Sequence, residues 1–177
     1  MPLTFKDLRQ GDVVLHIASD RSVSFGGRGV WVVTGNSCVH CGLVVFTDTV
    51  IEQSFTRRVH HPASEVYKSI LKSESLRVVR PRFPVTLDLS LVTVGNFYGV
   101  WTILDLLINH GMGWVFKSWT YRPWLTSLFG GRVCSSLVAG ILMVDKHAEW
   151  CHDTRVVEPD DFVNHPESFE DLGVLEL

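Results

Sequence analysis

The 177-residue chain carries 16 basic and 19 acidic residues, a formal net charge of −3, and is 46% hydrophobic, with six Trp and ten Phe. That composition excludes a disordered chain. With no basic run longer than Arg57-Arg58, it speaks against a nucleic-acid binder or a polybasic lipid-surface protein. The length suits one domain, 1–177, with a core over residues 8–150 and an acidic tail over 156–177. A core of that size needs no disulfide or metal staple.

Met1 to Asp7 has no apolar stretch of the kind that opens a secretory signal. A cytoplasmic location is the expectation, and free thiols are then expected at Cys38, Cys41, Cys134 and Cys151. Gly11 to Ile17 reads as a turn feeding a first strand, and Ser19 to Gly29 as a glycine-rich loop. Val30 to Thr34 is β-branched like a strand, but Gly35-Asn36 behind it would also cap a helix. Val39 to Phe46 is a strand, Thr47 to Thr49 a tight connection, and Val50 to Phe55 the returning strand of a hairpin. Arg57 to Pro62 reads as a loop and Ser64 to Lys72 as a short helix capped by Ser64. Leu76 to Arg80 is a strand stopped by Pro81 and Pro84.

The most apolar stretch, Val85 to Ile108, carries Asp88, Asn96 and Asp105, which suits buried core better than a membrane span. Helical pieces within Leu87 to Asn109 are broken near Gly95 and Gly99. Gly111 to Gly131 is a long loop with Trp114, Trp119, Tyr121 and Trp124. Val133 to Val144 is a helix, and the segment from Val156 onward is an acidic tail with one helical turn. The balance is α+β, a small antiparallel sheet packed against helices.

Three residues suggest chemistry. Cys134 falls in the first turn of an apolar helix, where unpaired backbone N–H groups stabilise a thiolate and can receive an oxyanion. Cys134, Leu137, Val138, Ile141 and Leu142 would share the buried face. The plainer reading of Cys134 is a small buried hydrophobe. His40 opens a strand on which Gly42 and Val44 share its face, and Gly42 leaves room for an imidazole to meet a partner. The plainer reading is a hydrogen-bonded core histidine. A three-residue hairpin loop would pair Val44 with Glu52, placing that carboxylate on the face of His40. There it could orient the ring as the third member of a triad, or serve as an edge-strand charge. His60, His61, His147 and His165 fall in loop or tail segments and receive no role.

At these residues the chain resembles the circularly permuted NlpC-type papain-like hydrolases, which include YiiX-like proteins and relatives of lecithin:retinol acyltransferase. Gly11-Asp12-Val13-Val14-Leu15 matches the opening of that pattern. Thr34-Gly35-Asn36-Ser37 leads to His40-Cys41-Gly42-Leu43-Val44, where the family has Ser-His-x-Gly-Ile-Val. Val50-Ile51-Glu52-Gln53, Gly95-Asn96-Phe97-Tyr98, Cys134-Ser135-Ser136-Leu137-Val138 and Glu158-Pro159-Asp160-Asp161-Phe162 follow in family order. His40 precedes Cys134, as the permuted arrangement requires. Cys38 and Val39 stand where the family has Ser before His, and Ser136 stands where it often has Glu.

The resemblance implies a permuted papain-like fold, a partial barrel against the nucleophile helix. Cys134 would be nucleophile, His40 base and Glu52 orienting residue, with Tyr98 and Ser135 beside the substrate. It implies a thiol hydrolase or acyltransferase without cofactor, acting on peptides, peptidoglycan fragments or acyl lipids. Phage members imply a virion location and a virion or tail partner. A non-catalytic assembly protein that keeps the fold is a second reading. A third is a metal or iron–sulfur site built from Cys38, Cys41, Cys134 and Cys151, although the second close ligand pair of a structural zinc site is missing.

Overall fold

The computed structural model describes residues 3–17, 38–53, 57–71, 75–93, 104, 108, 111–112 and 133–176. Their alternating apolar runs form six strands: β1 (Val13–Ile17), β2 (Cys38–Phe46), β3 (Thr49–Gln53), β4 (Arg57–His60), β5 (Ser75–Pro81) and β6 (Phe169–Val174). They build one open sheet in the order β4-β3-β2-β1-β5-β6, with every neighbouring pair antiparallel. The helices are α1 (Ala63–Ile70), α2 (Ser90–Thr93), α3 (Cys134–Ile141), α4 (Val144–His147) and α5 (Asp161–Asn164). The α+β expectation therefore holds. No helix among the described residues is long and apolar enough to cross a membrane.

Successive strand residues face opposite sides of a sheet, and here both sides are covered. Val13, Leu15, Leu43, Ile51 and Val79 pack with Leu137, Val138 and Ile141 of α3. Val14, Val44, Val50, Leu76 and Val78 pack with Ala63 and Tyr67 of α1. Every residue of α3 is buried, not only one face as its periodicity predicts. A helix apolar all round belongs in the interior. The Ser135 hydroxyl donates to the Val157 carbonyl at 2.7 Å, and the Asp88 N–H donates to the Ile141 carbonyl at 2.8 Å, so chain crosses α3 on its outer sides. The helix ends at Ile141, and Met143, with φ of 50°, breaks the expected run to Val144 into α3 and α4.

The Gly-Asp pair before β1 has a structural explanation. Gly11 has φ of 92°, and a Cβ there would lie 2.7 Å from Val85 methyl carbons, so glycine is needed on both counts. Asp12 is fully buried and takes two 2.7 Å hydrogen bonds from the Arg80 guanidinium and one of 2.8 Å from the Arg9 N–H. This bidentate pair pins β5 to the turn that leads into β1.

Two expectations are corrected. Residues 57–60 are not loop: they form β4, with Val50 opposite His60 and Glu52 opposite Arg58. An edge strand needs one partner only, so a polar sequence suffices. The segment from Val156 is not an acidic tail. It contains α5 and β6, buries Phe162 and Phe169, and closes the sheet against β5. Helix α1 begins at Ala63 with Pro62 before it, and Ser64 instead bonds the Asp48 carboxylate through N–H at 2.7 Å and hydroxyl at 2.9 Å.

Candidate active site

The site is built on β1, β2 and β3 where their polar residues face α1. His16 of β1 stands directly opposite His40 of β2, and Gly42 stands opposite Glu52 of β3. Glu52 is two residues nearer His40 along the ladder than a three-residue loop predicts. The turn contains only Thr47 and Asp48, with Asp48 at φ of 55°, and β2 bulges between Val44 and Phe46. Gly42 leaves the space into which these groups converge: a Cβ there would lie 2.9 Å from Glu52 Cγ and 2.9 Å from the Tyr67 hydroxyl.

Glu52 is the centre of the cluster. Its Oε1 lies 3.3 Å from His16 Nε2 and accepts the Tyr67 hydroxyl. Its Oε2 lies 3.4 Å from His40 Nε2 and 3.2 Å from His60 Nε2. The His40 contact is ionic and off-axis, because Nε2 is buried and makes no hydrogen bond of good geometry. Burial disfavours the Glu52 anion, but attraction from His16, His40 and His60 outweighs this and holds the carboxyl far below its ordinary value. Burial, reinforced by Glu52, pushes the Tyr67 phenol well up, so it remains a donor.

Helix α3 brings Cys134 to the His40–Cys41 step of β2. The pairing of β1 and β2 shifts register just before His40, where Val39 is the extra residue, and such bulges re-aim side chains next to active sites. A hydrogen bond from the Cys41 side chain is the largest influence on Cys134. Together with the His40 charge it overcomes burial and holds the thiol well below its ordinary value. Burial opposes a charged His40 too, yet the Cys134 charge and hydrogen bond, followed by Glu52, push the imidazole up to about 10. Cys41 itself is raised by burial and by Cys134, so it stays a thiol and a donor. Both shifts run toward the charged forms, thiolate at Cys134 and imidazolium at His40, and Nε2 of that ring lies 3.4 Å from Glu52 Oε2.

First-turn N–H groups of a helix lack intrahelical partners, and Cys134 is the first residue of α3. Ser136, where the resemblance suggests Glu, accepts the Val133 N–H at 2.9 Å and donates to the Val133 carbonyl at 3.1 Å, tying down the start of α3.

Cys134, His40 and Glu52 are thus brought together. Ser135 does not face a substrate through its side chain, because its buried hydroxyl is spent on Val157. Tyr98, Val30 to Thr34, and Trp114 to Trp124 lie outside the described residues. All four cysteines are free and buried. They do not assemble into one ligand set: among the described residues the close group of metal-ligating type is His16, His40 and Glu52. Cys151 sits among Asp145, Asp153 and Asp161, and its thiol is pushed up to about 12, first by burial.

Three residues of the cluster escaped sequence reasoning: His16, His60 and Tyr67. Alternation within Val13–Ile17 offered a signal for His16, which shares a face with Val14. The β1–β2 register that sets it against His40 is a long-range property. His60 was hidden by the loop reading of β4, and Tyr67 by its place on an apolar helix face. A comparison of the chain with protein-family models, and another with curated proteins, returned no match.

Proposed function

We propose that this chain is a thiol hydrolase or acyltransferase of the permuted NlpC-type papain-like kind, acting through Cys134, His40 and Glu52. The observation that carries the reading is the meeting of the Cys134 and His40 side chains, with the buried Glu52 carboxylate 3.4 Å from the imidazole Nε2. Glu52 occupies the Nε2 edge of His40 and so leaves Nδ1 to exchange a proton with sulfur.

The Cys134 thiolate attacks the carbonyl carbon of an amide or ester and forms a tetrahedral oxyanion. N–H groups in the first turn of α3 receive that oxygen. The His40 imidazolium gives its proton to the departing amine or alcohol, leaving a Cys134 thioester. The neutral imidazole then activates water or an acceptor, which releases the acyl group and restores the thiol. Glu52 holds the ring and stabilises its cation throughout. Peptides, peptidoglycan fragments and acyl lipids are the substrate classes that the resemblance supports.

The test is turnover of peptide-amide and acyl-ester panels together with labelling by an electrophilic thiol probe. Wild type is expected to label at Cys134 and turn over one class. Cys134→Ser should lose both properties, and His40→Ala should slow both. Equal labelling of Cys134 with and without His40 would remove the support for this reading.

A further inference from the structure

Three imidazole nitrogens point at one buried carboxylate, His16 Nε2 at 3.3 Å, His40 Nε2 at 3.4 Å and His60 Nε2 at 3.2 Å. A thiol dyad needs only one of them. Charge-assisted N–H···O⁻ bonds normally close to about 2.7–2.9 Å, and these three do not. In addition, His40 Nε2 is buried and makes no hydrogen bond. Leaving such an atom unsatisfied costs about 1–3 kcal/mol.

An ion held between these groups would account for both features. Zinc binds imidazole nitrogen and carboxylate oxygen at about 2.0–2.2 Å, so adjacent ligand atoms of a tetrahedral site stand about 3.3–3.6 Å apart. His16 Nε2 lies 3.3 Å from Glu52 Oε1 and His40 Nε2 lies 3.4 Å from Glu52 Oε2, so each imidazole has that spacing to one of the two carboxylate oxygens. One ligand atom each from His16, His40 and Glu52 lies within 4.8 Å of the other two.

We propose that His16, His40 and Glu52 form a site for one zinc-class divalent cation, with two imidazole Nε2 atoms and a carboxylate as ligands and a fourth position open to water. Tyr67 and His60 hold the carboxylate from outside, as outer partners of metal ligands do. The His40 and His60 side chains are 20% and 15% exposed, which gives an ion a path to the site from solvent.

The site shares His40 and Glu52 with the catalytic reading but does not depend on it.

Metal-free protein titrated with Zn²⁺ in a calorimeter, and with Co²⁺ by absorbance, tests the proposal. Wild type is expected to bind one ion per chain. Cobalt should show visible d–d bands without a thiolate charge-transfer band. His16→Ala and Glu52→Gln should each weaken binding by at least about tenfold, the lower bound even for loss of an outer partner, while Cys134→Ser binds like wild type. Wild type that binds no zinc overturns the site, whether or not the variants fold. So does loss of binding in Cys134→Ser with retention in His16→Ala. A chain that binds zinc yet whose Cys134 never reacts refutes the thiol reading and leaves the metal site standing.

Discussion

One methyl group at position 42 probes the convergence of β2, β3 and α1. In Gly42→Ala the new Cβ would lie 2.8 Å from Val50 Cγ1, 2.9 Å from Glu52 Cγ and 2.9 Å from the Tyr67 hydroxyl. Non-bonded carbon contacts settle at about 3.5–4.0 Å, so each neighbour must withdraw by about 0.6–1.2 Å. The three atoms belong to two elements that are themselves packed, and Glu52 is held by several donors, so no single side chain can yield freely. Overpacking of this kind costs about 1–3 kcal/mol. With a urea m-value of about 2 kcal/mol per molar, the unfolding midpoint should fall by about 0.5–1.5 M.

Tyr67→Phe removes one of the three clashing atoms. Alone it should cost about 1.5–3 kcal/mol, the worth of a hydrogen bond to a charged group. In the double variant the penalties should sum to less than their total, with a coupling of about 0.5 kcal/mol or more. Urea denaturation of the four proteins measures this directly. A Gly42→Ala midpoint equal to that of wild type, or strict additivity with Tyr67→Phe, would refute the packing described for the site.

Arg80→Ala leaves the fully buried Asp12 carboxylate with the Arg9 N–H but without its guanidinium, and should cost about 3 kcal/mol in the same assay. Because Glu52 is held below its ordinary pKa of 4.5, its ionic contribution is complete above that pH and is lost as pH falls. The stability gap between wild type and Glu52→Gln, measured by urea melts from pH 4.5 down to pH 3, below the histidine range, should therefore shrink on acidification. A gap that is constant or widens contradicts the anionic Glu52 described here.

How much of this was legible in the sequence depends on the range over which each feature is determined. Strands β1, β2, β3 and β5 announce themselves by runs such as Val13-Val14-Leu15 and Leu43-Val44-Val45, which only burial on both faces explains. Helix α3 announces itself by apolar periodicity behind Cys134. Alternation across one hairpin was enough to place His40 and Glu52 on a common face. The polar strand β4 and the acidic β6 carry no such pattern, since each borrows its order from one neighbour. Gly173, at φ of 95°, and a register shift against β5 further disguise β6. The His16–His40 pairing joins strands separated by residues 18–37, and no local spacing encodes it. The spacing of Cys38 and Cys41 suggested a ligand pair, yet among the described residues the close group of metal-ligating type is His16, His40 and Glu52.

The central claim is that an imidazole from β2 sustains a thiolate at the start of α3. The direct test is the pH dependence of Cys134 alkylation by iodoacetamide, read at the Cys134 peptide by mass spectrometry in wild type and His40→Ala. Wild type should react at a level rate through neutral pH, with its inflection well below the ordinary thiol value of 9.0. In His40→Ala the inflection should move upward, because burial then acts with less opposition. Superimposable profiles for the two proteins would contradict the account.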